Sequence, residues 1–335
     1  MKNKIKIQMI SGMIIALLSV FIPSAEMHAQ DMYVLIGGGY GLSAAQNVFL
    51  ATEDKSSYTT TYTTTWDGSS YSYQNSSAGT SESKNIKGTG SFGKGLQMQG
   101  VFGYMFNEHI GAELGIGYLR GAGISSKNEY SYTMVDQYID LTNSANSYTD
   151  SETDAQSNEG TFSGRMIRFI PSLRISAGSS KVQPYAKAGL VIGMGAKMKY
   201  TEKYSDSFSS STYSGEDEVV YSGRISFGFS GAAGVNYKLS DKIGIFAEAG
   251  IINQSWAPKR SELTKSTTNG VNNLTGMSTY DKETEYVDSY TQTFGLPNTS
   301  KPSQELKFYF PFSSAGINVG VHFTLKGKKA STEGK

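Results

Sequence analysis

Apolar residues alternate with small or polar ones at period two in eight stretches of the chain, and the gaps between these stretches alternate short and long. The last stretch is the plainest, with Ile317, Val319, Val321, Phe323 and Leu325 on one face and Gly316, Asn318, Gly320, His322 and Thr324 on the other. A two-residue period belongs to a β-strand, whose successive side chains point to opposite faces. The pattern predicts strands from Tyr33 to about Leu42, from Phe92 to Phe106, from Ile110 to Leu119 and from about Arg165 to Ser176. The fifth carries Ala186, Ala188, Leu190, Ile192 and Met194 on one face, the sixth Ile225, Phe227, Phe229, Ala233, Val235 and Tyr237. The seventh presents Ile243, Ile245, Ala247, Ala249 and Ile251, and the eighth closes at Leu325. Beyond the N-terminal segment no stretch reads as an amphipathic helix able to cover eight apolar faces. A sheet closed on itself, with lipid outside and polar groups inside, satisfies both faces and leaves no open edge. The predicted fold is all-β, an eight-stranded antiparallel up-and-down transmembrane barrel.

The connections agree with this topology. Asn107–His109, Gly178–Lys181 and Ser240–Lys242 have hairpin length, whereas residues 51–90, 120–160, 200–222 and 254–307 are long. Transmembrane barrels pair short periplasmic turns with long extracellular loops, and an even strand number leaves both termini in the periplasm. In residues 51–90, 22 of 40 are Ser, Thr or Tyr and Ile86 is the only branched aliphatic, so this loop cannot bury a core. Thr and Tyr favour strands, which predicts that the flanking strands rise past the membrane as a hairpin-like extension frayed at its tip. The facing of the first strand stays open, because Gly37, Gly38 and Gly39 carry no side chains to assign.

The N-terminus sets the compartment. Lys2, Lys4 and Lys6 precede an apolar run of 14 residues from Met9 to Ile22, and Met27-His28-Ala29 ends in a small residue. This is the order of a secretory signal, and the run is shorter than the roughly 20 residues a spanning helix needs. Cleavage after Ala29 would leave a barrel over residues 30–325 and a short periplasmic tail over 326–335. With no Cys there is no lipoprotein attachment site and no disulfide frame. Losing Lys2, Lys4, Lys6 and Glu26 takes 30 basic residues to 27 and 29 acidic ones to 28, a net charge of −1, which points to no nucleic acid. Gly (38) and Tyr (22) are abundant and Pro (7) is scarce, as suits a barrel better than an α/β enzyme.

The faces opposite the apolar ones hold Glu113, Arg168, Arg174, Lys187, Arg224 and Glu248. Gly fills most other inward sites, at positions 111, 115, 117, 189, 193, 195, 228, 234 and 320. The interior of an eight-stranded barrel is just wide enough for side chains to fill, so large residues need Gly opposite. Glu113, Arg174, Lys187 and Glu248 lie at similar depth from the tight turns, which, with Arg168 and Arg224 on the same face, predicts a neutralising lumenal ion-pair network that closes the barrel. A gated polar path through the same residues is the alternative.

Candidate chemistry is thin. His28 leaves with the signal, His109 sits in a turn and His322 points inward near the periplasmic end. A rim enzyme such as a lipid A deacylase or acyltransferase keeps its catalytic His at the outer side. No Cys or His cluster suggests a transition metal. Asp150, Glu152 and Asp154 lack the Gly turn and acidic twelfth position of a Ca²⁺ loop, and no helix follows Gly37-Gly38-Gly39 as a phosphate loop requires. No catalytic, cofactor or metal site is expected.

In the final strand Asn318-Val319-Gly320-Val321-His322-Phe323-Thr324-Leu325 resembles the barrel-assembly signal of outer-membrane proteins, through Asn318, Gly320, Phe323 and Leu325. Together with Val235-Asn236-Tyr237-Lys238-Leu239 running through Ser240-Asp241-Lys242 into Ile243-Gly244-Ile245, it resembles the small eight-stranded outer-membrane barrel family typified by OmpA, OmpX and OmpW. Pro171-Ser172-Leu173-Arg174 and Pro184-Tyr185-Ala186-Lys187-Ala188-Gly189 are similar to that family's fourth and fifth strands. The cleavage region and the Tyr/Ser/Thr-rich loops resemble versions from Bacteroidetes-type bacteria. The resemblance covers the strands, about half of the mature chain. It implies export to the outer membrane by the barrel-assembly machinery, contact with membrane lipids and lipopolysaccharide, and a structural or surface-interaction role carried by the loops. A narrow channel for small solutes, or an outer-membrane lipid hydrolase, are the other roles open to such a barrel. The Lys-rich tail is too short for the peptidoglycan-binding domain that some members carry.

Overall fold

A computed structural model describes residues 32–44, 52–85, 90–178, 181–208, 211–290 and 296–325. The predicted signal peptide, Ser179 and Ser180 of the second turn, and the tail lie outside the described residues. Eight strands form the wall of a barrel. They are β1 (Met32–Ser43), β2 (Gly95–Met105), β3 (Ile110–Gly121) and β4 (Tyr148–Ser176), then β5 (Val182–Phe208), β6 (Ser226–Lys238), β7 (Ile243–Trp256) and β8 (Ser314–Leu325). Each pairs antiparallel with the next in the chain. β8 returns to β1 in one unbroken register from Met32↔Leu325 to Ser43↔Ser314, so the ring is closed and has no free edge.

Alternation sorts the side chains as the period requires. Leu96, Met98 and Phe102 of β2, Ile110, Leu114, Ile116 and Tyr118 of β3, and Phe227 and Phe229 of β6 are exposed on the outside, while Glu113, Arg174, Asn236 and Glu248 are buried within. β1 now has a facing, with Tyr33 and Leu35 buried inside and Ile36, Tyr40 and Leu42 outside. Its glycines close the seam. Gly37 pairs with Gly320 of β8, and a Cβ on Gly320 would sit 2.2 Å from the Ile36 carbonyl oxygen and 2.7 Å from the Phe246 ring. The Phe246 ring occupies the space that two missing side chains leave.

Two expectations change. The second strand begins at Gly95, and Phe92 leaves the wall to fold over the lumen, completely buried. Gly195 is exposed rather than inward. It has φ +61° and lies where the β4–β5 register slips between Arg165 and Ile167. This is a β-bulge, and the extra residue resets the alternation so that Ala196 and Met198 point inward instead.

Nine further strands lie outside the ring and turn most of the long connections into ordered sheet. β4 and β5 have 29 and 27 residues, so they continue well past the ring on the side opposite the tight turns. The strand Ile124–Asp140 pairs with β4, and Ser211–Gly223 pairs with β5 and then with Pro258–Thr268. The Ser/Thr/Tyr-rich segment forms a hairpin from Thr52–Trp66 and Tyr71–Asn85, but it does not prolong β1 and β2 as expected. It docks sideways, Thr52–Trp66 running parallel to Ile124–Asp140. A segment with no apolar stripe has no core to fix its register; cross-strand pairs such as Tyr58 with Tyr130 (5.9 Å) and Lys55 with Glu129 (3.8 Å) line the seam instead.

The tips of the two docked hairpins are closed by carboxylates rather than frayed. Asp67 accepts the Ser69 and Ser70 backbone N–H groups, both at 2.8 Å. Asp140 accepts the Thr142 hydroxyl at 2.6 Å, the Asn146 amide at 3.0 Å and the N–H groups of Thr142 and Asn143. Those donors, the Thr142 hydroxyl and the Asn146 amide foremost, hold Asp140 down to a pKa of about 2. The folded value lies below the unfolded one of about 3.9, so this closure is complete above the unfolded value and is lost as pH falls through about 2. Hydrogen exchange checks this. Protection of the Thr142 and Asn143 amides, corrected for intrinsic rates, should fall across that window and be low at every pH in Asp140→Asn.

Candidate functional site

The lumen is built in layers. Nearest the tight turns, four of the six inward charges meet. Arg174 donates to Glu113 at 3.0 Å, Lys187 lies 3.4 Å from Glu113 and 2.7 Å from Glu248, and all four are nearly inaccessible. The order Arg174–Glu113–Lys187–Glu248 alternates in sign and sums to zero. Two tyrosines cap it, the Tyr33 hydroxyl donating to Glu113 at 2.7 Å and the Tyr185 hydroxyl to Glu248 at 3.0 Å. The Arg174 guanidinium lies 3.8 Å from the Tyr185 ring centre and 5.2 Å from that of Tyr33, close enough for cation–π attraction. Glycines make this layer possible. A Cβ on Gly103 would be 2.1 Å from the Tyr33 ring, and one on Gly234 2.7 Å from that of Tyr185.

Arg168 belongs to a second layer. It is 2 % exposed, donating from Nε to the Gln254 side-chain oxygen at 2.9 Å and from Nη2 to the Phe312 carbonyl at 2.8 Å. Gln254 in turn donates to Ser226 at 2.9 Å. No carboxylate lies within ion-pair distance of Arg168 among the described residues. Between the layers lies a cavity of about 70 Å³, lined by Glu113, Lys187, Glu248, Arg168, Gln99 and Asn318 among others. That is room for ordered water.

Above Arg168 the lumen is sealed by apolar side chains, a feature the strand pattern does not reveal. Phe92, Leu119, Ile124, Met166, Ala196, Met198, Trp256, Phe310 and Phe312 form one buried cluster. Trp256 stacks on Phe310 at 5.9 Å, and Phe92 meets Phe310 edge-on at 5.5 Å. The segments that carry them are pinned to the wall, Phe92 N–H donating to the Pro311 carbonyl at 2.9 Å and Phe312 N–H to that of Gln254 at 2.8 Å. The aromatic run Phe308-Tyr309-Phe310-Pro311-Phe312, in a connection otherwise poor in apolar residues, was the available signal.

Arg224 stands apart from both layers. It precedes β6, and its guanidinium donates to the Tyr286 carbonyl at 2.8 Å while its own carbonyl accepts the Trp256 indole N–H at 2.8 Å. It braces the seal against the surface sheet and is not a member of the ion-pair network. His322 is buried, its ring 5.1 Å from that of Tyr33. In β8, Asn318 pairs with Glu248 of β7 and Gly320 meets Gly37 at the seam, while Leu325 is exposed at the strand's end. Among the described residues no group of three or more His, Asp or Glu side chains is placed to hold a metal ion.

No protein-family model matches this chain, and no curated protein matches it either.

Proposed function

We propose that the protein is an integral outer-membrane β-barrel of the OmpA, OmpX and OmpW type, exported by a signal peptide and sealed to solutes. In this reading it is not an enzyme, and its role is a surface interaction carried by the sheet above the barrel. One observation carries the membrane reading. The outside of the closed ring is a continuous girdle of exposed apolar side chains, including Met98 at 66 %, Phe227 at 72 %, Phe229 at 69 % and Ile317 at 62 %. Soluble monomers rarely expose apolar patches larger than a few hundred Å², whereas an outward apolar band is what a spanning barrel presents to lipid. The apolar seal and the neutral charge network favour this reading over the narrow channel.

The surface reading rests on the docked hairpin, whose Tyr58, Tyr62, Tyr71 and Tyr73 are all exposed. Exposed Tyr amid hydroxyl-bearing neighbours suits recognition of polar surfaces at low cost in side-chain entropy. Among the described residues the hairpin pairs with the remaining sheet only along Ile124–Asp140, with one further bond from the Leu141 N–H to the Trp66 carbonyl, so deleting residues 52–85 should leave the ring intact. The expected result is an unchanged urea midpoint of the folded barrel, with loss of adhesion to immobilised matrix proteins, glycans or other cells. Adhesion equal to wild type in this deletion and in one of residues 258–306 would end the surface-interaction reading.

A further inference from the structure

Counting Lys, Arg, Asp and Glu, the described residues of the lumen carry one positive charge too many. Glu113, Arg174, Lys187 and Glu248 sum to zero, and the buried Arg168 adds a cation. Its hydrogen bonds, to the Gln254 side-chain oxygen and the Phe312 carbonyl, end on uncharged groups and leave part of the guanidinium's donor set unused. A buried charge without a counter-charge is costly. A second group has a matching need. Gln99 lines the same cavity, and its Nε2 is buried without an acceptor among the described residues.

The register brings these two donors together. Gln99 of β2 pairs with Gly117 of β3, and Gly117 pairs with Arg168 of β4, so the amide and the guanidinium flank a position that has no side chain. Neighbouring strands are about 4.8 Å apart, which sets the two residues roughly 10 Å apart at their backbones. A Cβ on Gly117 would meet only the Met98 carbonyl oxygen at 3.6 Å and the Arg168 Cβ at 3.9 Å, so the space over it is open. The carboxylates belong to the other end of the cavity. Glu113 lies four residues down β3 from Gly117, roughly 13 Å along the strand. Glu113 and Glu248 are each held by Lys187 and by a tyrosine hydroxyl. We propose that one monovalent anion of halide size, chloride foremost, sits over Gly117 between the Gln99 amide and the Arg168 guanidinium. A single negative charge brings the lumen to zero, whereas a divalent oxyanion such as sulfate would overshoot. The cavity of about 70 Å³ holds such an ion with water beside it. The site needs the closed ring and its packed lumen, not a surface partner.

Unfolding equilibria test this, because they register binding even where a closed lumen exchanges ions slowly. The full chain, folded with phosphatidylcholine vesicles, is titrated with urea in sodium chloride, sodium bromide or sodium gluconate, each at about 0.15 M, near physiological ionic strength. Gluconate carries the same charge but is too large for the cavity, so screening stays constant while occupancy does not. Wild type should resist unfolding in the halides, with an unfolding constant about tenfold smaller than in gluconate, as for a dissociation constant of about 15 mM. Arg168→Gln removes the charge and should bring that ratio to about one. Gly117→Leu keeps Arg168 but fills the space beside it, and it should lose the halide effect as well, an independent reading if Arg168→Gln does not fold. Effects of salt on the vesicles and on the unfolded chain are common to all three proteins, so the ratio compared between them is the readout. Equal stability of wild type in chloride and gluconate overturns the assignment and leaves water in the cavity. A halide effect that persists in either variant overturns it too.

Discussion

Glu113→Ala should destabilise the folded barrel by about 3–5 kcal/mol, the usual cost of stranding a buried charge. Lys187 would keep Glu248 at 2.7 Å, but Arg174 would retain only Ser176, Tyr33 and the Tyr185 ring. The stranded group is therefore Arg174, and this identifies the rescue. Adding Arg174→Met removes the orphaned cation, and replacing a buried ion pair by apolar residues of similar volume is often neutral. More than half of the lost stability should return. Urea titration in lipid vesicles, followed by the gel mobility difference between folded and unfolded barrel, reads both variants. A loss below about 1 kcal/mol for Glu113→Ala, the scale of an exposed pair, would mean that the network is not shielded from water.

The second large effect is on conductance. The charge network and the apolar cluster block the lumen in series, and an eight-stranded interior leaves no path around either. Wild type in planar bilayers should show no steady current. Glu113→Ala with Glu248→Ala should stay closed because Phe92, Trp256, Phe310 and Phe312 still fill the outer end. Phe310→Ala with Phe312→Ala should stay closed because the charge layer persists, although each truncation costs roughly 3–5 kcal/mol of packing. Only the combination of all four changes should conduct. Steady current from wild type would restore the narrow-channel reading, and current from the charge variant alone would remove any sealing role from the aromatic cluster.

The parts of the molecule that were legible in the sequence are those where one face differs chemically from the other. Ile110 to Tyr118 alternates without interruption, and β3 follows it residue for residue. Depth counted from the tight turns brought Glu113, Arg174, Lys187 and Glu248 together, because register across short hairpins is set by the turn. The same counting sets Arg168 deeper on the shared face but says nothing of what holds it, the uncharged Gln254 and the Phe312 carbonyl. Arg224 has inward parity, but it lies before its strand begins and is drawn to Tyr286. The apolar seal was hidden for a different reason. Phe92 and Phe312 are 220 positions apart and lie between strands, so no periodicity links them. The surface hairpin was recognisable as strand, but a run of Ser, Thr and Tyr carries nothing that selects its partner.

The central claim is that the ring's odd and even positions face two different media, lipid outside and a packed lumen inside. The chain has no Cys, so single-Cys labelling is clean. On β3, Leu114 and Ile116 point outward and alternate with Gly115 and Gly117 on the inside. A Cβ at Gly115 or Gly117 meets no atom nearer than 3.5 Å, so Cys fits at both. With each Cys in turn in the folded barrel and a thiol-reactive probe dissolved in the lipid chains of the vesicles, the account predicts strong labelling at 114 and 116 and little at 115 and 117. Equal labelling at all four positions, or none at any, would contradict it.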